Sequence, residues 1–233
     1  MGTVSGPEEL YADCTFNTGK GNRYAKGVRM YLTKLTLNMK NAYVVRNMAN
    51  CEWIHKLIME RGFGHIEALQ PRNTLKVLYA LDDNTIYVQS AVMPRFMNES
   101  GLFIEEPRTL QIDGMKDRLK EGMCVRVRCT CNPTYHDESG KRRFIGSEEK
   151  RDKWFRNVMD SNGAEVLVLS QTPESTVRGI KKDKNGRGYK LYAQTVTYTG
   201  ALKIKDGERF WKAFCDGIGK EKAYGCGMLL VTK

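Results

Sequence analysis

Met30-Tyr-Leu-Thr-Lys-Leu-Thr-Leu-Asn38 reads as a strand, with Leu32, Leu35 and Leu37 set among polar residues. The segments after it decide the fold. Asn50 can cap a helix over about 51–62, whose apolar positions Trp53, Ile54, Leu57, Ile58 and, more weakly, Cys51 recur at a 3–4 spacing and make one buried face. Gly62 and Gly64 stop it. Two strands, Leu75–Leu81 and Thr85–Met93, are joined by Asp82-Asp83-Asn84, a good hairpin turn. Residues 94–121 predict a short helix or irregular segment and then a strand near Thr109–Ile112. Gly122 marks a boundary, after which the order repeats. Met123–Thr130 is a strand, Ser147–Met159 a helix and Ala164–Leu169 a strand. A long hairpin has arms at about Thr176–Lys182 and Lys190–Ile204, a helix covers Glu208–Cys215, and Met228–Thr232 is a final strand. Two approximate βαββαβ patterns predict an α+β protein of tandem ferredoxin-like, or RRM-like, domains over 30–121 and 122–233. Residues 1–29, broken by Gly2, Gly6, Gly19, Gly21 and Gly27, read as a flexible extension or as an over-extended start ahead of Met30.

The chain has 233 residues, enough for two domains of this size, and a formal net charge of +11 from 38 Lys/Arg and 27 Asp/Glu. Residues 116–190 hold 18 Lys/Arg against 11 Asp/Glu, so +7 of the excess lies there. Such a charge predicts a polyanionic partner, nucleic acid before an anionic membrane, although a solvated basic surface explains composition equally well. No run approaches the ~18 apolar residues of a membrane span, and residues 1–29 lack the apolar stretch of a signal peptide. Seven cysteines, an odd number scattered along the chain, suit reduced thiols in a cytosol better than a disulfide framework.

Four motifs invite chemistry. In Gly217-Ile-Gly219-Lys-Glu-Lys-Ala-Tyr-Gly225-Cys-Gly227, glycines allow backbone to approach a phosphate or another backbone, and Lys220 and Lys222 add charge. A tight structural turn accounts for it as well. It lacks the Gly-Lys-Ser/Thr of a P-loop, and it follows a helix and precedes a strand, the reverse of a dinucleotide site. Cys124, Cys129 and Cys131, with His136 five residues on, raise zinc, but one Cys-x-Cys without a second pair is explained by a strand's small apolar residues. Basic residues cluster in the hairpin tip (Lys181, Lys182, Lys184, Arg187, Lys190) and at Arg126, Arg128, Lys141, Arg142, Arg143, Lys150, Arg151, Lys153 and Arg156. Singly each is a solvated side chain; together they suit the phosphates of an RNA stem. Finally, His55 is one of three histidines. It lies beside the apolar face of the first helix with Lys56 next to it.

The order and spacing of these motifs resemble the CRISPR repeat-processing endoribonucleases. Gly-Ile-Gly, five residues, Gly-Cys-Gly and an apolar strand form their C-terminal signature. The Met30–Asn38 start, Val88-Gln89-Ser90 before Met93-Pro94, and Val125-Arg126-Val127-Arg128 before Asn132-Pro133 are similar to the CasE class of type I-E systems. Lys141-Arg142 sits where that class carries a basic turn. The resemblance spans 30–233 and implies a metal-independent, cofactor-free endoribonuclease. It would cut repeat RNA by 2′-hydroxyl attack and stay with the crRNA, among other Cascade subunits, in the cytoplasm. It also implies that His55, 25 residues after Met30, is the catalytic histidine. The family's frequent Tyr three places earlier is Glu52 here, and the basic residue five places later falls on Glu60, beside Arg61. Glu52, an i, i+3 neighbour, is expected to orient the imidazole and favour its protonated form. Lys56, Arg61 and Tyr224 are candidates for stabilising transition-state charge. Gly217, Gly219, Gly225 and Gly227 are expected to approach the RNA backbone, with Lys220 and Lys222 beside them. The alternative is a non-catalytic RNA-binding module, though no RRM aromatic signature is present.

Overall fold

The computed structural model describes residues 29–64, 71–98, 100–183 and 185–232. Residues 1–28 of the extension expected over 1–29, and Lys184 at the hairpin tip, lie outside them. The first unit runs β1 (Tyr31–Thr36), α1 (Ala42–Asn47), α2 (Cys51–Lys56), α3 (Pro71–Thr74), β2 (Leu78–Asp82), β3 (Thr85–Ser90), β4 (Arg108–Gln111) and α4 (Met115–Arg118). The second runs β5 (Cys124–Cys131), β6 (Thr134–His136), β7 (Arg142–Phe144), α5 (Glu148–Ser161), β8 (Ala164–Gln171), β9 (Ser175–Lys182), β10 (Gly188–Ile204), α6 (Gly207–Asp216) and β11 (Leu230–Thr232).

The first sheet has the order β2-β3-β1-β4, and the main path of the second is β11-β5-β10-β8. Each places a unit's first and third strands side by side with the fourth and second outside them, the antiparallel ferredoxin-like arrangement. A short helix or irregular segment is expected between β3 and β4, and the described residues of that connection are irregular. Pro94, Gly101 and Pro107 interrupt it, and prolines deny a helix both donors and room. In the second unit, β9 and the first half of β10 (Lys182 opposite Gly188 through Ser175 opposite Thr195) form a ribbon. The second half of β10 joins the main sheet.

Strand parity explains how the units meet. Leu35 and Leu37 of the first strand segment, with Val77, Tyr79, Ile86 and Val88, share a core with Ile54, Leu57 and Ile58 of the first-helix region. Met30, Leu32, Leu78, Ala80 and Tyr87, on the opposite face, share a core with Phe210, Phe214, Ile218 and Met228 of the second unit. The first sheet is therefore buried on both faces. The C-terminal carbonyls of α6, which no helix can satisfy internally, are taken up from both units. Gln89 Nε2 donates to Phe214 O at 2.8 Å, and Lys222 Nζ donates to Asp216 O and Gly217 O, both at 2.8 Å. Among the described residues, no helix is long and apolar enough to cross a membrane.

Candidate RNA-processing site

Helix α2 begins where Asn50, in extended conformation, accepts the Glu52 backbone N–H on its side-chain oxygen at 3.1 Å. The helix keeps α geometry through Lys56 and then widens into a π turn, Leu57–Arg61. His55 thus sits on the last α turn, immediately before the change of pitch, a placement frequent at functional sites. Its ring meets the ring of Tyr224 edge-on, with centroids 6.2 Å apart. Tyr224 ends the short 3-10 turn Lys222–Tyr224 of the Gly-rich loop.

Burial holds the His55 imidazole below its ordinary pKa, and the charges of Arg72, Lys181 and Lys56 push in the same direction. The imidazole is consequently neutral at pH 7 and offers a lone pair. This corrects the expectation for Glu52. Its carboxylate is buried (5% exposed), is not among the groups that act on His55, and leaves Oε2 without a hydrogen-bond partner among the described residues. Glu52 instead faces the phenols: with burial, its charge helps push Tyr224 up to about 12 and helps raise Tyr79. Tyr224 therefore remains a protonated donor across the neutral range.

Two further expected assistants part company. Lys56 is exposed and its charge reaches His55. Arg61 is exposed at the end of the π turn and is not among the cations acting on the imidazole. Arg72, which sequence reasoning missed, is. It lies on α3, with one guanidinium nitrogen donating to Val77 O at 3.0 Å, and half-burial lowers its own pKa. Nothing in the local sequence marks it; only the fold brings it to His55.

The basic residues divide by what already occupies them. Lys181 and Lys182 in the ribbon, and Arg187 and Lys190 across the tip, are exposed, as are Arg126, Lys150, Lys153 and Lys220. Lys141 and Arg142 stand on a turn braced by Asp137. Its Oδ1 accepts from Ser139 N, Ser139 Oγ and Lys141 N, and its Oδ2 accepts from Arg143 Nε at 2.9 Å. These bonds, first from Ser139 and then from Arg143, hold the Asp137 carboxyl near pKa 2. Arg142 lies 3.9 Å from Glu221 of the Gly-rich loop, Arg128 pairs with Asp82, and Arg156 pairs with Asp152 at 2.6 Å. Arg151 corrects the sequence reading outright: it is 5% exposed and its guanidinium is occupied by Ile145 O, Gly146 O, Gln171 and Glu174, so it has no surface to offer a phosphate. Lys222 is likewise engaged on the carbonyls that end α6.

The glycines also serve the protein's own packing. A Cβ on Gly227 would stand 2.1 Å from Ile218 O, one on Gly217 2.9 Å from Gly227 O, and one on Gly225 2.9 Å from the Tyr79 ring. Gly219 alone of the four is exposed, with Trp154 3.5 Å from its hypothetical Cβ. Cys129 and Cys131 are buried core residues with sulfurs 3.4 Å apart, while Cys124 and His136 are exposed.

The ribbon carries a signal the sequence offered and the charge count passed over. Tyr189 and Tyr192 are exposed among Lys181, Lys190 and Arg178. Such interleaving of aromatics and cations suits bases and phosphates together. Cross-strand partners share a face, so Lys181–Tyr189 and Gly179–Leu191 lie on one side of the ribbon, and Ile180–Lys190 and Arg178–Tyr192 on the other.

The chain and its fold are similar to those of known proteins. The chain is 25% identical over 215 residues to the CRISPR-associated endoribonuclease Cse3 of Thermus thermophilus, covering 87% of this chain and all of that protein. Thermus thermophilus Cse3 bound to an RNA representing a pre-cleavage complex superposes with TM-score 0.69 at 21% identity, over 88% of this chain and all of that one. A chain of a CRISPR RNA-guided surveillance complex in a pre-nicking state superposes with TM-score 0.62 at 19% identity, over 87% of this chain and 99% of its own. A family model described as CRISPR associated protein matches residues 30–233, and the chain belongs to that family.

Proposed function

We propose that the protein is a metal-independent endoribonuclease that cuts the repeat stem-loops of a precursor crRNA and stays on the product as a subunit of Cascade in the cytoplasm. The observation that carries this reading is His55 with a partly buried imidazole that feels the charges of Arg72, Lys181 and Lys56, on helix α2 where the basic ribbon meets it at Gly179. The similar Cse3, an endoribonuclease by name, and the similar chain of a surveillance complex support it.

The chemistry rests on the groups present. The His55 lone pair takes the proton of a ribose 2′-hydroxyl, whose oxygen attacks the adjacent phosphorus. The P–O5′ bond breaks in line, and the departing oxygen takes a proton from solvent water while the His55 imidazolium returns its own to solvent, leaving a 2′,3′-cyclic phosphate and a 5′-hydroxyl. The three cations and the Tyr224 hydroxyl stabilise charge on the pentacoordinate phosphorus. As the phosphate enters, its charge offsets part of that of the cations and raises the affinity of His55 for the proton it carries.

The test uses the protein with its repeat RNA in EDTA, beside His55→Ala and an RNA with a single 2′-deoxyribose at the cut. Wild type cleaves the all-ribose RNA alone, and every combination binds. Cleavage by His55→Ala would remove the imidazole from the mechanism, and cleavage of the deoxy RNA would remove the 2′-hydroxyl. Binding without any cleavage would leave the non-catalytic reading.

A further inference from the structure

Strand β9 does more than extend a basic ribbon. At Gly179 its backbone lies directly on the first turn of α2. A Cβ there would stand 2.7 Å from Cys51 Sγ, 2.9 Å from Asn50 Oδ1 and 3.1 Å from the Glu52 nitrogen. Glycine inside a strand marks such close approach. The contact is also bonded. Asn50 Oδ1, already accepting from Glu52 N at 3.1 Å, accepts from Ile180 N at 3.3 Å, and Asn50 forms a parallel bridge to Arg178. One side-chain oxygen thus serves as the cap of the His55 helix and as the anchor of the ribbon. Two residues beyond Gly179 on the same ribbon face, opposite Tyr189, Lys181 reaches His55 with its charge.

We propose that Asn50 and Gly179 are positioning residues that lock the RNA-holding ribbon to the N-terminus of the His55 helix, so that a stem held along the ribbon presents its scissile phosphate to the imidazole in one fixed register. This rests on the endoribonuclease reading above. Neither residue touches RNA in this scheme. The Asn50–Ile180 bond and the Gly179 seat set the distance between the ribbon and His55, and misplacement of reacting groups by an ångström costs on the order of 10²-fold in rate.

Three variants test it: Gly179→Ala, whose methyl must push the ribbon off Cys51; Asn50→Ser, which still caps a helix but has a shorter reach toward Ile180; and Gly179→Ala combined with Cys51→Ala, which removes the nearest obstructing atom. Each is assayed for single-turnover cleavage at saturating protein, affinity for the non-cleavable 2′-deoxy RNA, and the pH dependence of cleavage. The groups governing that profile are His55 with Lys56 on its own helix, Arg72 on α3 and Lys181 on β9; Glu52, on the same helix, acts on Tyr224 of the loop. Gly179→Ala and Asn50→Ser are expected to lose about 10–100-fold in rate with affinity kept. The acid limb should move to higher pH as Lys181 withdraws, and Cys51→Ala should restore part of the loss. An unchanged rate and profile in the folded Asn50→Ser protein, or an affinity loss equal to the rate loss, would overturn the proposal. Absence of cleavage by wild type would instead overturn the endoribonuclease reading beneath it.

Discussion

The ring planes of Tyr224 and His55 meet at 72°, so phenol and imidazole make an edge-to-face contact across the junction of the Gly-rich loop and α2. Tyr224→Phe preserves that ring contact and removes only the hydroxyl. If the hydroxyl donates to charge developing on phosphorus, the single-turnover rate falls about 10²-fold, the usual cost of one such donor, with affinity for the 2′-deoxy RNA unchanged. Tyr224→Ala also removes the ring and lowers the rate further. Single-turnover cleavage of the three proteins at saturating concentration separates the two contributions.

Burial first, and then Arg72, Lys181 and Lys56, keep His55 neutral to lower pH than an ordinary imidazole. Cleavage limited by the base form therefore rises with pH through an inflection below 6.5 in the free enzyme, read from kcat/KM. Stability shows the same asymmetry. Between the folded and unfolded pKa values the unfolded chain binds the extra proton, so the His55 contribution is complete above about 6.5 and is lost as pH falls through that window. Urea midpoints for wild type and His55→Gln should converge toward acid pH relative to their difference at neutrality. Removing Arg72 by Arg72→Gln should move the kinetic inflection upward.

Gly227 has a φ of +82°, with Ile218 O 2.1 Å from where a side chain would begin. Gly227→Ala should cost at least about 3 kcal/mol, because conformational strain and a backbone clash act together. Gly219→Ala, with φ +67° but no atom closer than Trp154 at 3.5 Å, should cost about 1–2 kcal/mol, the left-handed penalty alone. Chemical denaturation of the pair distinguishes a loop packed on itself from one held open for RNA.

Asp137 braces the turn that presents Lys141 and Arg142, and its carboxyl is held near pKa 2. Asp137→Ala should weaken repeat-RNA binding by loosening the turn, even though it removes a negative charge from a basic surface, and should leave the cleavage rate at saturation intact. Because the native carboxyl stays ionised far into acid, the brace persists at neutral pH and slackens only as pH approaches about 2. Salt-dependent binding measured on the variant checks the first expectation, and a net gain in affinity would contradict it.

Much of the architecture was legible because alternation and turn chemistry are local. The β9–β10 hairpin, the last helix and the β1 start fall where their patterns put them. The short helix Ala42–Asn47 did not, since Tyr43 and Val45 are exposed and only Val44 is buried, leaving no periodic face to read. Leu32 and Leu35 stand at odd spacing, which weakens an amphipathic strand reading. The reason is that β1 is buried on both sides and need not alternate. His55 and Lys181 were legible as chemistry but not as neighbours. Arg72 was invisible, because its relation to His55 exists only in three dimensions. Arg151 shows the opposite failure: a charge count cannot distinguish a guanidinium facing solvent from one enclosed by its own chain.

The two-sided burial of the first sheet has a consequence for descent. The units repeat a topology, yet neither can be traded as a cassette. A foreign second unit would have to supply Phe214 and Ile218 to Leu78 and Tyr87, and carbonyls for Gln89 to bond. Substitutions along that seam must therefore be inherited in matched sets, whereas exposed ribbon residues that do not act on His55, such as Lys182, Arg187 and Lys190, are free to diverge one at a time with the RNA they meet.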